Sequence, residues 1–437
     1  EVARRPRQEE EIPPGWEWTD RNVWTPRMLN ALEKGVNGGK WYSLIDKVSS
    51  VKVLNRAFVK GRRRNSAAGV DHQTFESFET NLEGNIEKLS KLLKEGRYEP
   101  QPVKRIFIPK PGSKDKRPLG IPTIRDRIVQ RALQMVLEPI FENEFAECSY
   151  GFRPGRGCKD ALRQVEKSLD SDQMWVVDGD IKGFFDTIDH EILMERINER
   201  IIDSGIHKLL RKYLKQNVME NASYWTPEGG MPQGAVISPL LSNIYLNPLD
   251  HLMMESGYNF IRYADDWVVL CKSETEAKSA LETVKEWVIQ NKLELHPEKT
   301  RIVNAENEWF EFLGYKFVKI QDKRTKIPSD KAMKKLKETL RSHTKRTNGH
   351  SLEYIVKHLN NTLKGWFEYF KHSHKWTFPK IDIFIRKRLR SILRRRKGGK
   401  GYAKGKDNVR WPNKFFTEIG LYSVTEARLS AVQSLRG

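Results

Sequence analysis

Phe260-Ile261-Arg262-Tyr263-Ala264-Asp265-Asp266-Trp267-Val268-Val269-Leu270 places two adjacent acids between apolar and aromatic flanks. The pattern predicts a β-hairpin: a strand ending near Tyr263, a tight turn carrying Asp265 and Asp266, and a return strand from Trp267 to Leu270. Two carboxylates at the tip of a hydrophobic hairpin repel each other, and a hard cation with oxygen ligands is the usual remedy. Asp also favours turns in its own right, so a solvated turn accounts equally well for the hairpin alone.

Size and composition bound the choice. A chain of 437 residues suggests two or three domains with ample core. Hydrophobic residues make up 38%, with 12 Trp, 13 Tyr and 19 Phe, which argues for a folded protein. No apolar run approaches the roughly 20 residues needed to span a bilayer. Glu1-Val2-Ala3-Arg4-Arg5 has neither a starting Met nor an apolar stretch, so no signal peptide is expected, and residues upstream are left open. Cys148, Cys158 and Cys271 offer neither a zinc spacing nor a disulfide framework, which fits a reducing cytosol.

The net charge of +21 is unevenly placed. Residues 1–320 hold 48 Lys and Arg against 48 Asp and Glu, whereas residues 321–437 hold 30 against 9. A basic segment of that density repels itself unless it meets a polyanion. A disordered tail would not carry Trp366, Phe367, Tyr369 and Phe370, so a folded nucleic-acid-binding region is expected.

Along the chain, residues 1–40 read as an arm anchored by Trp16, Trp18 and Trp24. Helices are expected over about 41–61, 78–94, 125–145, 159–169, 191–217, 239–254 and 274–290. Residues 103–110 and 114–122 form a pair of basic strands joined at Pro111-Gly112, suited to phosphate binding. Ser149-Tyr150-Gly151-Phe152-Arg153-Pro154-Gly155-Arg156-Gly157 is a Gly-rich basic turn, and Phe310 to Phe317 is a further strand. After Pro328 come basic amphipathic helices. One carries Ile381, Ile385, Leu389 and Ile392, with Arg386, Arg390 and Arg394 on its other side.

Met174 to Asp180 reads as a buried strand, and strand alternation puts Asp178 and Asp180 on one face. Strand, helix, hairpin, helix and strand in that order make a mixed sheet backed by helices. If its strands are adjacent, Asp180, Asp265 and Asp266 converge, and two cations about 4 Å apart would serve phosphoryl transfer by position and charge.

Seven blocks in order, with a maturase region after them, resemble the group II intron-encoded reverse transcriptases and maturases, over most of the length. Arg117-Pro118-Leu119-Gly120-Ile121-Pro122 and Ser149 to Pro154 are similar to the fingers, and Asp180 to Asp186 to the first aspartate block. Pro232-Gln233-Gly234 with Ser238-Pro239 resembles the template-contact block, and Tyr263-Ala264-Asp265-Asp266 the polymerase box. His296-Pro297-Glu298-Lys299-Thr300 and Phe312-Leu313-Gly314-Tyr315 complete the palm, and Gly365 to Phe370 resembles the maturase region. Two positions depart from the pattern: Met231 stands where Thr commonly precedes Pro-Gln-Gly, and Ala235 where many relatives have Gly.

The resemblance implies an α+β right-hand polymerase. An N-terminal arm would occupy 1–40, an N-terminal extension and helical and mixed fingers 41–170, a ferredoxin-like palm 171–320, and an all-helical basic thumb 321–437. Asp180, Asp265 and Asp266 would be the catalytic metal ligands, with the backbone carbonyl of Ile181 nearby. Mg²⁺, two per site and replaceable by Mn²⁺, would be the cofactor. Lys110 and Arg117 would hold the triphosphate, Phe185 would exclude a 2′-hydroxyl, Gln233 would lie beside the incoming nucleotide, and Lys299 would donate a proton to pyrophosphate. Asp178 and Asp186 would be structural. Arg62, Arg63, Arg64, Arg153, Arg156, Arg386, Arg390 and Arg394 are expected to contact nucleic acid.

The expected activity is RNA-directed DNA synthesis. Its partners would be group II intron RNA, an RNA template with a DNA primer, target DNA and dNTPs, with no membrane and an open oligomeric state. Without a His/Cys-rich module after the thumb, no HNH endonuclease is expected. A splicing cofactor without polymerase activity and a domesticated enzyme of repair or phage defence are the alternatives.

Overall fold

Ser, Thr and Asp side chains start several of the helices of this computed structural model, which describes residues 11–35, 39–62, 67–109, 116–220, 223–227, 229–320 and 323–433. Each accepts an otherwise orphaned backbone N–H of the first turn. The chain divides into two units, one built from residues up to Ile302 and one from Val303 onward. No helix among the described residues is long and apolar enough to cross a membrane.

The first unit begins with the arm and α1 (Pro26–Lys34). The arm is part of the core: Trp24 is fully buried, and its indole N–H donates to the Met135 carbonyl at 3.2 Å. There follow α2 (Ile45–Val48), α3 (Val51–Arg62), α4 (Phe75–Glu79) and α5 (Leu82–Lys94). The two helices expected here are thus each divided. Next come β1 (Val103–Pro109), β2 (Lys116–Ile121), α6 (Ile124–Glu142, capped by Thr123) and α7 (Cys158–Asp170).

The remainder of the unit is β3 (Trp175–Asp180), α8 (Phe184–Thr187), α9 (His190–Asn198), α10 (Ser204–Leu214), β4 (Val218–Glu220), β5 (Ser223–Trp225), α11 (Ser238–Glu255), β6 (Asn259–Tyr263), β7 (Asp266–Cys271), α12 (Glu274–Gln290) and β8 (Arg301–Asn304). A single helix over 191–217 is not found. It breaks where Ile201 bridges to Trp41 and where Asp203 caps α10 through the N–H groups of Gly205 and Ile206.

Two sheets carry the site. One has the order β2-β1-β4-β5 and the other β6-β7-β3-β8. In the second, strands taken in chain order as first, second, third and fourth lie as 2-3-1-4, with α11 and α12 packed on the sheet, which is the ferredoxin-like arrangement. Val176, Val177, Val268, Val269 and Leu270 are fully buried, so this sheet reads as a near-continuous apolar run. Gly179 is required at its centre, because a Cβ there would meet the Trp267 ring at 2.1 Å.

The second unit holds β9 (Phe310–Phe312), β10 (Tyr315–Ile320), β11 (Lys323–Pro328), α13 (Asp330–His343), α14 (Leu352–Phe370), α15 (Thr377–Arg396), α16 (Gly405–Arg410), α17 (Asn413–Glu418) and α18 (Val424–Gln433). The strand expected from Phe310 to Phe317 is folded in two at Leu313 and Gly314, both at positive φ. The hairpin is tied to α14: the Tyr315 hydroxyl donates to the Tyr369 carbonyl, and the Tyr369 hydroxyl donates back to the Leu313 carbonyl. The helices share a core of Leu359, Leu363, Phe378, Ile385 and Leu389.

Candidate active site

The acids of the opening hairpin meet the acid of β3 through strand register. Tyr263 pairs with Asp266 across a two-residue turn, and Asp266 pairs with Asp180 on the neighbouring strand. Asp266 is therefore the first residue of the return strand and not part of the turn. Directly opposed residues of an antiparallel pair carry their side chains on one face, about 5 Å apart at Cβ. Asp178, two residues before Asp180, shares that face and lies 3.6 Å from the Arg301 guanidinium. Asp265 occupies the turn itself.

Burial raises Asp266 to about 7, and the carboxylates of Asp265, Asp180 and Asp178 push it in the same direction against the pull of Lys299. Asp265 is also raised, by burial first and then by Asp180. The Lys299 ammonium is paired with the Asp180 carboxylate. The backbone of the same segment fixes Asp180, because the His296 N–H donates to its carbonyl at 2.8 Å. Ile181 follows in an antiparallel bridge with Leu295.

Among the described residues, no three His, Cys, Asp or Glu side chains form a ready-made metal shell. Asp180 is turned to Lys299 instead. The donor set still fits a divalent cation. It is all oxygen, which suits hard ions. Neither Asp265 nor Asp266 has an ion-pair partner among the described residues, and Lys299 offsets their mutual repulsion only in part.

The turn is held from below. Ala264 has φ +58°, in a position where hairpins of this length favour Gly. Its carbonyl accepts from the Arg262 guanidinium at 2.8 Å. Arg262 is fully buried and also donates to both carboxylate oxygens of Asp250, to Asn243 Oδ1 and to Ser149 Oγ. The segment Cys148 to Gly151 lies alongside β6: the Arg262 N–H donates to the Cys148 carbonyl and the Tyr150 N–H to the Arg262 carbonyl. A Cβ on Gly151 would come within 2.3 Å of the Ala264 nitrogen, so the loop and turn are in backbone contact. The residue pattern did not reveal this network; its one sequence signal is an Arg inside an otherwise apolar strand.

Phe185 and Gln233 are linked through the main chain. The Met231 N–H donates to the Phe185 carbonyl at 2.7 Å, and the Gly120 N–H donates to the Gln233 carbonyl at 2.7 Å. Gly120 and Gly234 permit this approach, since a Cβ on Gly234 would sit 2.7 Å from the Gly120 carbonyl oxygen. A cleft of about 290 Å³ borders the loop, lined by Arg105, Asp186, Trp225, Gly230 and Gln233 among others. Arg117 is exposed on β2, opposite Ile108. Lys110, Arg63 and Arg64 lie outside the described residues.

Two of the arginines expected on nucleic acid are structural. Arg153 is buried and donates to both oxygens of Glu142 and to the carbonyls of Ala146 and Ser149, which leaves no face for a phosphate. Arg390 is buried and donates to the Trp411 carbonyl and Asn413 Oδ1. The side of α15 expected to face solvent is partly covered by the segment running from α16 to α17. Arg394 pairs with Asp407 at 3.1 Å, Arg156 with Glu147 at 2.5 Å and Arg62 with Glu79 at 2.7 Å. Arg386 is half-buried beside Arg390.

Carboxylates from two central strands, set at one end of a ferredoxin-like sheet, define a polymerase palm, and the fold is that of a reverse transcriptase. Residues 108–317 match the family described as reverse transcriptase (RNA-dependent DNA polymerase), and residues 333–411 match the group II intron, maturase-specific domain. The group II intron-encoded protein LtrA of Lactococcus lactis subsp. cremoris is 43% identical over 197 residues, 45% of this chain and 32% of that protein. Protein YkfC of Escherichia coli is 35% identical over 309 residues, 60% of this chain and 81% of that protein. The partial Cas6-RT-Cas1–Cas2 complex superposes with a TM-score of 0.38 at 24% identity, over 57% of this chain and 41% of that one. The chain belongs to the group II intron-encoded reverse transcriptase and maturase family. Its match spans about a third of the length of LtrA.

Proposed function

We propose that this chain is an RNA-directed DNA polymerase that also binds group II intron RNA to assist splicing and retrohoming. The observation that carries the reading is the pairing of Asp180 with Asp266, with Asp265 beside them and no ion-pair partner for either hairpin acid among the described residues. Divalent dependence is general to such domains. Here Asp180, Asp265, Asp266 and the Ile181 carbonyl would hold two Mg²⁺, or Mn²⁺ in their place. When bound, the ions supply positive charge that activates a primer 3′-hydroxyl and offsets charge on the leaving pyrophosphate.

The chain's own residues do the rest. Arg117 and Lys110 hold the triphosphate of a dNTP. Phe185, fixed through Met231, excludes a 2′-hydroxyl. Gln233, fixed through Gly120, lies beside the incoming nucleotide. Lys299 keeps Asp180 in place and has a proton to give to pyrophosphate. Residues 41–170 are assigned as N-terminal extension and fingers, 171–320 as palm and 321–437 as thumb. The thumb carries the whole excess positive charge, and it holds RNA and target DNA through phosphates.

Primer extension on an RNA template with dNTPs and Mg²⁺ tests this. Extension that chelation of Mg²⁺ abolishes and that Asp265→Asn removes is expected. No extension by the parent chain overturns the polymerase assignment and leaves the RNA-binding splicing role.

A further inference from the structure

We propose that Phe152 is a stacking platform for a nucleobase of the template–primer at the primer terminus. This rests on the polymerase reading above. The residue stands out because it contradicts its surroundings. Gly151 and Arg153 on either side are buried, yet Phe152 is 49% exposed. Its backbone is at φ +59°. A bulky side chain in the left-handed region is strained and persists only where the surroundings over-determine it.

Those surroundings are on both sides. Before it, the Gly151 carbonyl accepts from Asn243 Nδ2 at 2.8 Å, and Gly151 itself is pressed against Ala264. After it, Arg153 is locked by Glu142 and two carbonyls. These anchors fix a loop whose tip presents an aromatic face outward, so the ring is aimed and not merely left over.

What it is aimed at follows from its neighbour. The Phe152 and Tyr263 ring centroids are 6.2 Å apart with planes inclined by 46°. Tyr263 immediately precedes the Ala264-Asp265 turn and pairs with Asp266 across it, so the two side chains share one face of the hairpin. A base on Phe152 therefore lies on the side of the hairpin that carries the Asp266 and Asp180 carboxylates. Stacking on an aromatic ring is tolerant of sequence, as a polymerase requires, and is worth about 1–3 kcal/mol per base, which is roughly 5- to 150-fold in affinity.

Equilibrium binding of a fluorescent template–primer without dNTPs tests the assignment apart from catalysis. Phe152→Tyr should bind within about twofold of the parent, whereas Phe152→Leu and Phe152→Gly should bind about tenfold or more weakly. Phe152→Gly should melt no lower than the parent, since Gly removes the backbone strain. Binding by Phe152→Leu equal to the parent's overturns the platform while leaving the polymerase reading intact. Failure of the parent chain to bind template–primer at all strikes both.

Discussion

Arg262 and Asp250 form an ion pair in which both side chains are fully buried, directly beneath the turn that presents Asp265. Asp250 is raised by burial and pulled back by Arg262, so the charges survive only because they face each other. Removing one partner leaves the other charge buried and unpaired, which typically costs about 3–5 kcal/mol. Asp250→Asn and Arg262→Met are each expected to lower stability by that order in chemical denaturation. The double variant should recover part of the loss. Simple additivity of the two effects would show that the pair is not coupled.

Gly151 sets a second expectation. The contact it makes is with backbone, so a methyl group at this position displaces the loop or the turn. Misplacement by about 1 Å costs on the order of 100-fold in rate. Gly151→Ala should reduce single-turnover primer extension by about that factor while the far-ultraviolet spectrum stays unchanged. Full activity would mean that the turn need not hold its position.

The acids were legible because their chemistry is local: a strand-end Asp, and two Asp at a hairpin tip, keep their spacing whatever surrounds them. The order of the blocks supplied the sheet. Other features depend on partners distant in sequence. Arg153 reads as a phosphate ligand in a basic turn until Glu142 folds back onto it. Helix 191–217 reads as continuous until Trp41, some 160 residues earlier, bridges to Ile201. Arg390 falls on a basic stripe, and only the return of Trp411 and Asn413 buries it. Asp266 reads as part of the turn because Asp is a turn former; its register with Asp180 and Tyr263 moves it into the strand.

Lys47 ties the N-terminal arm to α2 and gives the fold a pH dependence. Its ammonium lies 4.7 Å from the centre of the Trp24 ring and donates to the Val23 carbonyl. Burial lowers it to about 8 from the ordinary 10.5. Between those values the unfolded chain holds a proton that the folded one has released, so stability from this group rises with pH from about 8 to 10.5. Below 8 both states are protonated and the full cost of burying the charge applies. Lys47→Met should remove that slope, read as the difference between parent and variant in denaturation midpoints across pH 7 to 10.5.

In the second unit, Asp382 of α15 starts a helix that it does not belong to. Its carboxylate accepts from the Ser423 hydroxyl and from the N–H groups of Val424 and Thr425 at the start of α18. Loss of such a cap typically costs about 1–2 kcal/mol. Asp382→Ala should speed proteolysis within residues 424–433, with cleavage mapped by mass spectrometry. Unchanged protection there would show that apolar packing alone holds α18.

Arg386 and Arg390 lie one turn apart on α15, and burial separates their roles. Arg390 spends its donors on Trp411 and Asn413, with its guanidinium 5.1 Å from the centre of the Phe416 ring. Cutting it back to Ala leaves buried acceptors unmatched, so Arg390→Ala should lower the melting temperature. Arg386 is half-buried and donates no hydrogen bond within the described residues. Arg386→Ala should leave melting nearly unchanged and weaken RNA binding evenly across sequences. The slope of log affinity against log salt should fall by about one for the lost phosphate contact. If Arg386→Ala keeps the parent's salt slope, the arginine stripe of α15 plays no part in holding nucleic acid, and the binding surface lies on another face of the basic helices.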